Sequence, residues 1–228
     1  PASLLVRHSP ESMGLQPDGV SASAAGAADA PPEPEFSARQ ALRTRAFWLL
    51  TAAVTLRVGV FATLVIHMVP IMVWKGLNAQ MAANMVGALA LLSIPTRIGM
   101  GWVGDRWGRV PVTAISVLLG AFSLVFLALG TELWHFFLFI AIFAVADGAS
   151  PLGWALIGDF FGRKGFATIR GTMTLFYPWG SVILPVLAGW IYDRTQTYQM
   201  TLWGFAILFA AAAGLFSLLR PPKHAVPS

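Results

Sequence analysis

Six apolar runs, at 46–73, 79–103, 110–129, 133–158, 168–192 and 200–219, fill the chain from residue 46 almost to its end, with short polar turns between them. Each is long enough, at about 1.5 Å per residue, to cross ~30 Å of hydrocarbon as a helix. Lipid supplies no partner for a backbone N–H or C=O, so a run of this kind must satisfy its backbone internally, as helices do. No alternating strand pattern competes. Composition agrees: 57% of residues are hydrophobic and 11% charged, with a mean hydropathy of +0.70, against roughly 25% charged in a soluble domain. The expected fold is an all-α membrane protein with six transmembrane helices over residues 45–220.

Residues 1–44 are different material. The stretch 21–34 is almost entirely Ala, Ser, Pro, Gly and acids, a composition that buries too little surface to fold. We read 1–44 as a cytoplasmic connecting segment with a disordered linker, and 221–228 as a cytoplasmic tail. Pro1 and the absence of an apolar leader suggest that more sequence precedes this chain. The net charge of +5 does not point to nucleic acid, because the basic residues are scattered between apolar runs and form no stripe. They sort by loop instead. Arg7, Arg39, Arg43, Arg45, Arg106, Arg109, Arg163, Lys164, Arg170, Arg220 and Lys223 fall on one side, and Lys75 and Arg194 on the other. That asymmetry predicts both termini in the cytoplasm, in a plasma or inner membrane. Without cysteine there is no disulfide or thiol nucleophile, and neither cofactor nor metal is expected.

The turn between the second and third runs carries the densest signal: Gly101-Trp102-Val103-Gly104-Asp105-Arg106-Trp107-Gly108-Arg109. So short a link requires a tight hairpin, with Gly104 and Gly108 allowing close backbone approach and the charges left among headgroups. Asp105 is a candidate conformational latch, pairing with Arg109 or Arg170, or else an ordinary solvated aspartate. A second turn on the same side repeats the chemistry in Asp159, Gly162 and Arg163. The fifth run closes on Gly189-Trp190-Ile191-Tyr192-Asp193-Arg194, an echo of the second run's ending on the opposite side of the membrane. A 3+3 inverted repeat, typical of secondary transporters, would place it there; chance recurrence of Gly and Asp-Arg at helix ends is the alternative.

The motif Gly101-x-x-x-Asp105-Arg106-x-Gly108-Arg109 resembles the loop between helices 2 and 3, and between 8 and 9, of the major facilitator superfamily. Pro10-Glu11-x-x-Gly14-x-x-Pro17-Asp18-Gly19, Phe47-Trp48, Leu56-Arg57, His67-x-x-Pro70, Arg97, Asp159-Phe160-Phe161-Gly162-Arg163 and Gly189-x-x-x-Asp193 are similar to the second half of monocarboxylate-porter and oxalate/formate-antiporter members. The resemblance implies helices 7–12 of a twelve-helix transporter. It further implies a missing N-terminal six-helix half, alternating access, and a small organic anion, monocarboxylate-like, as substrate. Two departures are visible: Val110 stands where the family loop carries another basic residue, and the fifth run lacks the lysine of oxalate-type members.

An arginine inside a span costs roughly 2.5–3.5 kcal/mol on insertion scales and persists where it meets protein, water or an anion. Arg97 occupies the position of the resembling porters' anion-binding arginine, and its planar fork suits a carboxylate; snorkelling to the headgroups is the other reading. Arg57 and Asp147 reach similar depth near the midplane, which suggests a buried pair, structural or proton-coupling, with Arg57 also a substrate-binding candidate beside Arg97. His67 is a second proton-coupling candidate or an interfacial histidine. Asn84 either lines the cavity or bonds a neighbouring helix. Tyr177 and Trp179 flank the helix-breaking Pro178, where rings could close over a substrate.

Three rivals remain. A superfamily member moving a neutral or cationic drug or metabolite differs only in substrate. A stand-alone six-helix interaction protein would need a native start. An intramembrane aspartyl protease would need Asp105 and Asp193 to meet, yet the topology puts them on opposite sides.

Overall fold

A computed structural model describes residues 36–163 and 165–222, all within the second of two compact units, 34–228. Among the described residues the secondary structure is entirely helical. The much earlier Pro10–Gly19 motif, the linker, Lys164 and Lys223 lie outside them. A short α1 (Ala38–Ala41), capped reciprocally by Ser37 and Gln40, precedes α2 (Arg45–Trp74), α3 (Ala79–Trp107), α4 (Arg109–Leu129), α5 (Leu133–Gly148), α6 (Ser150–Phe161), α7 (Phe166–Met173), α8 (Pro178–Thr195) and α9 (Gln199–Ser217). Six of the resulting helical stretches are long and apolar enough to span a membrane, α5–α6 and α7–α8 each counting as one interrupted span.

Both interruptions have local causes. α5 ends at Gly148 and α6 starts beside Pro151, whose ring supplies no N–H and suits a first turn. Likewise Pro178 opens α8, after the turn 174–177. At the membrane-surface turns, Gly108 (φ 92°) and Gly162 (φ 84°) adopt backbone angles that a side chain disfavours, and so stop α3 and α6. Gly104 makes the close approach expected of it: a Cβ there would sit 2.6 Å from Leu152 of α6. Gly101 faces open space.

The core is aromatic and aliphatic. Phe136, Phe139 and Phe143 of α5 share one buried cluster with Phe209 and Phe216 of α9 and Leu50 and Leu64 of α2, Phe143 stacking on Phe209 at 6.0 Å. Gly120 lets α4 close on α9, since a Cβ would lie 2.7 Å from the Phe209 ring.

The most extensive packings are α4 on α9, α2 on α8, α3 on α5, α4 on α5 and α2 on α9. Number the spans one to six and exchange one with four, two with five, three with six. The scheme maps onto itself: span two on four becomes five on one, three on four becomes six on one, and three on six is unchanged. Burial follows the same exchange, because spans two and five are alike in having only 11% of their apolar windows buried. So do the matching endings, where Arg106 lies over Trp102 at 5.8 Å and Arg194 over Trp190 at 5.2 Å. One turn of helix separates each pair, which is why the Trp-x-x-x-Arg spacing allows the same cation–π contact twice.

Candidate functional site

The polar centre of the bundle lies where α3 crosses α5. Gly148 permits the crossing: a Cβ would be 2.8 Å from the backbone carbon and hydroxyl of Thr96. Thr96 Oγ1 then donates across the junction to the Ala144 carbonyl at 3.0 Å. Its neighbour Arg97 is thereby delivered to Asp147, and Nη2 donates to Oδ2 at 3.0 Å. Arg97 remains half exposed (52%) whereas Asp147 is 4% exposed. Arg57, from α2, is buried and donates to the Ala146 carbonyl at 3.4 Å.

This differs from the expected midplane pair of Arg57 with Asp147. Asp147 takes Arg97 as its ion-pair partner, and Arg57 stands one carbonyl away, within electrostatic range of both. The reason is the close crossing at Gly148, which holds Thr96, and with it Arg97, against α5.

A cavity of about 270 Å³ opens beside this trio, lined by Phe61 and Val65 of α2, Leu89, Ser93 and Arg97 of α3, and Asp147. Its walls are apolar apart from Ser93 and the ion pair, so a carboxylate entering it meets the guanidinium as its charged donor, with the Ser93 hydroxyl beside it. Ser93 carries no charge, and its role here depended on knowing which face of α3 turns inward.

The remaining candidates lie elsewhere. Asn84 is exposed, outside this cavity, and its Oδ1 accepts from Gln80 of its own helix at 3.0 Å. The Tyr177 ring packs edge-on against Trp154 at 5.1 Å; Trp179 is 61% exposed and donates to the Leu175 carbonyl at 3.0 Å. Neither lines the Arg97 cavity. His67 ties α2 to the fifth span, with Nε2 3.2 Å from the Pro185 carbonyl and Nδ1 3.2 Å from the Tyr198 hydroxyl. A neutral ring meets both contacts, Nε2–H donating and Nδ1 accepting. Tyr198 also stacks on Tyr192 at 4.3 Å, and burial, aided by Tyr192 and Asp193, raises its pKa. At that same end Lys75 Nζ donates to the Ala128 and Gly130 carbonyls, at 3.0 and 2.6 Å, closing α2 onto the end of α4.

At the other end Arg109 is the hub. It donates through Nε and Nη2 to Asp105 Oδ1, at 3.2 and 2.9 Å, and through Nη1 to Asp159 Oδ1 at 2.7 Å. The two turns therefore form one bridge from α3–α4 to α6. Arg170 instead lies over the Trp154 ring at 5.0 Å. Two carboxylates on one fork were hidden in sequence because Arg109 and Asp159 lie 50 positions apart, although each sits in an Asp-x-x-Gly-Arg-like turn. No cluster of three metal-ligating side chains occurs among the described residues.

Six helical spans arranged as two interchangeable triplets, with an arginine–aspartate pair at a cavity inside and an arginine-bridged double turn at one end, define half of an α-helical carrier bundle. The profile of the Major Facilitator Superfamily matches residues 50–228; the chain belongs to that family. Among curated proteins it is 25% identical over 175 residues to monocarboxylate transporter 7 of Homo sapiens, covering 72% of this chain and 34% of that protein. With monocarboxylate transporter 11 of Homo sapiens it shares 28% identity over 218 residues, 87% of this chain and 45% of the relative. A bicyclomycin resistance protein homolog of Haemophilus influenzae is 27% identical over 128 residues, 54% of this chain and 31% of that protein. The chain thus spans less than half the length of these relatives.

Proposed function

We propose that this chain is the helix 7–12 half of a secondary transporter that carries a small monocarboxylate by alternating access, with Arg97 receiving the carboxylate. The observation behind this reading is the Arg97–Asp147 pair at the cavity wall. A half-exposed guanidinium held by one buried carboxylate has donors left for a second, and its planar fork can bind that one bidentately. A proton on Asp147 would weaken its hold and hand Arg97 to the incoming anion, so that proton and anion travel together. Similarity to proteins named monocarboxylate transporters supports the substrate class. The bare apolar faces of α3 and α8 support a second six-helix bundle, lying against them. The Arg109 bridge would latch one access state. Arginines on the side of both bundle ends support an inward-facing placement of the termini in a plasma or inner membrane, with lipid around the rest.

Uptake of a labelled monocarboxylate by the whole protein in proteoliposomes tests the proposal. Arg97→Lys keeps the charge but loses the fork; with charge-assisted bonds worth about 1.5–3 kcal/mol, anion affinity should fall roughly ten- to a hundredfold. Near-normal uptake at matched protein level would remove Arg97 from the site. A second reading, export of a cationic or neutral compound with Asp147 as its acceptor, has the likeness to the bicyclomycin resistance homolog behind it; it predicts that monocarboxylates are not taken up at all.

A further inference from the structure

A larger cavity, about 570 Å³, lies away from the Arg97 site, at the end of the bundle where α2 begins and α9 ends. Thr44, Arg45, Ala46 and Leu49 form one wall; Leu218 and Arg220 contribute to the other. Two arginines thus line one space, and among the described residues neither Arg45 nor Arg220 has a side-chain hydrogen-bond or ion-pair partner. The acids described at this end are already engaged, since Asp105 and Asp159 both hold Arg109. The first turn of α2 adds the backbone N–H groups of Arg45 and Ala46, which have no carbonyl within the helix, the Phe47 N–H being taken by Thr44 Oγ1. The carbonyl end of α9 favours a cation, which Arg220 supplies, so the anion's place is on the α2 side.

Depth and shape narrow the ligand. Arg45 opens one apolar span and Arg220 follows another, which puts both at the level of lipid headgroups. From the cavity's exposed Leu218 an outward apolar stripe descends α9 through Gly214, Ala211 and Ile207. A charged head above and an apolar track below match one molecule class. We propose that this cavity binds the phosphate of an anionic glycerophospholipid between Arg45 and Arg220, with an acyl chain lying along the α9 stripe, so that the lipid clamps the start of α2 to the end of α9.

Native mass spectrometry of the whole protein from mixed phosphatidylglycerol and phosphatidylcholine micelles tests this. Each basic residue near an anionic headgroup is worth roughly a fivefold preference, so two predict about 25-fold enrichment of retained phosphatidylglycerol. In R45Q/R220Q the enrichment should fall to near parity; unchanged enrichment overturns the proposal. Should that variant not fold, the unaltered protein is photolabelled with a phosphatidylglycerol carrying a diazirine on its acyl chain. Label on 207–218, displaced by unlabelled phosphatidylglycerol and not by phosphatidylcholine, supports the site, and label elsewhere overturns it. Displacement by inorganic phosphate as effective as by the lipid would also overturn it, in favour of a free anion.

Discussion

Neutralising Asp147 should cost more than neutralising its partner Arg97, because burial around the pair is unequal. Asp147→Asn leaves Arg57 buried with only a 3.4 Å bond to the Ala146 carbonyl and without the carboxylate whose field acts on it. Stranding a buried charge in this way costs about 3–5 kcal/mol. Arg97→Gln also breaks the 3.0 Å bond, but Arg97 is half exposed and Asp147 keeps the field of Arg57. A bond to a charged group is worth about 1.5–3 kcal/mol, and solvent screening of so exposed a partner brings the expected loss down to roughly 1–2. The double variant Arg57→Gln/Asp147→Asn removes the stranded charge and should recover about half of the single aspartate variant's loss, Arg97 being free to turn outward. Equilibrium unfolding in SDS–detergent mixed micelles, run on the whole protein, these three variants and the single Arg57→Gln variant, reads these differences directly. An Asp147→Asn loss equal to or smaller than that of Arg97→Gln, or a double variant with strictly additive losses, would refute the burial argument.

Arg109→Gln should barely alter stability, by about 1 kcal/mol or less, since its partners are solvated, while slowing transport as the bridge between the two turns is lost; a transport rate matching the unaltered protein would dismiss the latch. Gly148→Ala should push Thr96 and hence Arg97 away from α5, costing roughly 1–3 kcal/mol by overpacking and lowering anion affinity together; loss of stability alone would mean that Arg97 does not depend on this crossing. Cysteines at Gly76 and Thr195 should react with an impermeant thiol reagent from outside the cell and one at Trp107 only from inside, and outside labelling of Trp107 would reverse the orientation.

Legibility in the sequence followed the range of the interactions. Six spans, the stops at Gly108 and Gly162, and the breaks at Pro151 and Pro178 rest on runs of neighbouring residues, where lipid forces the helix and glycine or proline ends it. The paired Trp102–Arg106 and Trp190–Arg194 contacts follow from one helical turn, and so were implicit in the repeated motif. Which charges meet across helices was another matter. Arg57 and Arg97 are both in-span arginines, and counting residues from the apolar boundaries put Arg57 beside Asp147. Tertiary packing chose Arg97, because a glycine at 148 lets Thr96 touch α5. In the same way, Arg109's second carboxylate and the Arg45–Arg220 cavity join residues 50 and 175 positions apart. Chain-local chemistry determined the helices and where they stop; helix rotation and close approach, which no local pattern encodes, decided which side chains share a site.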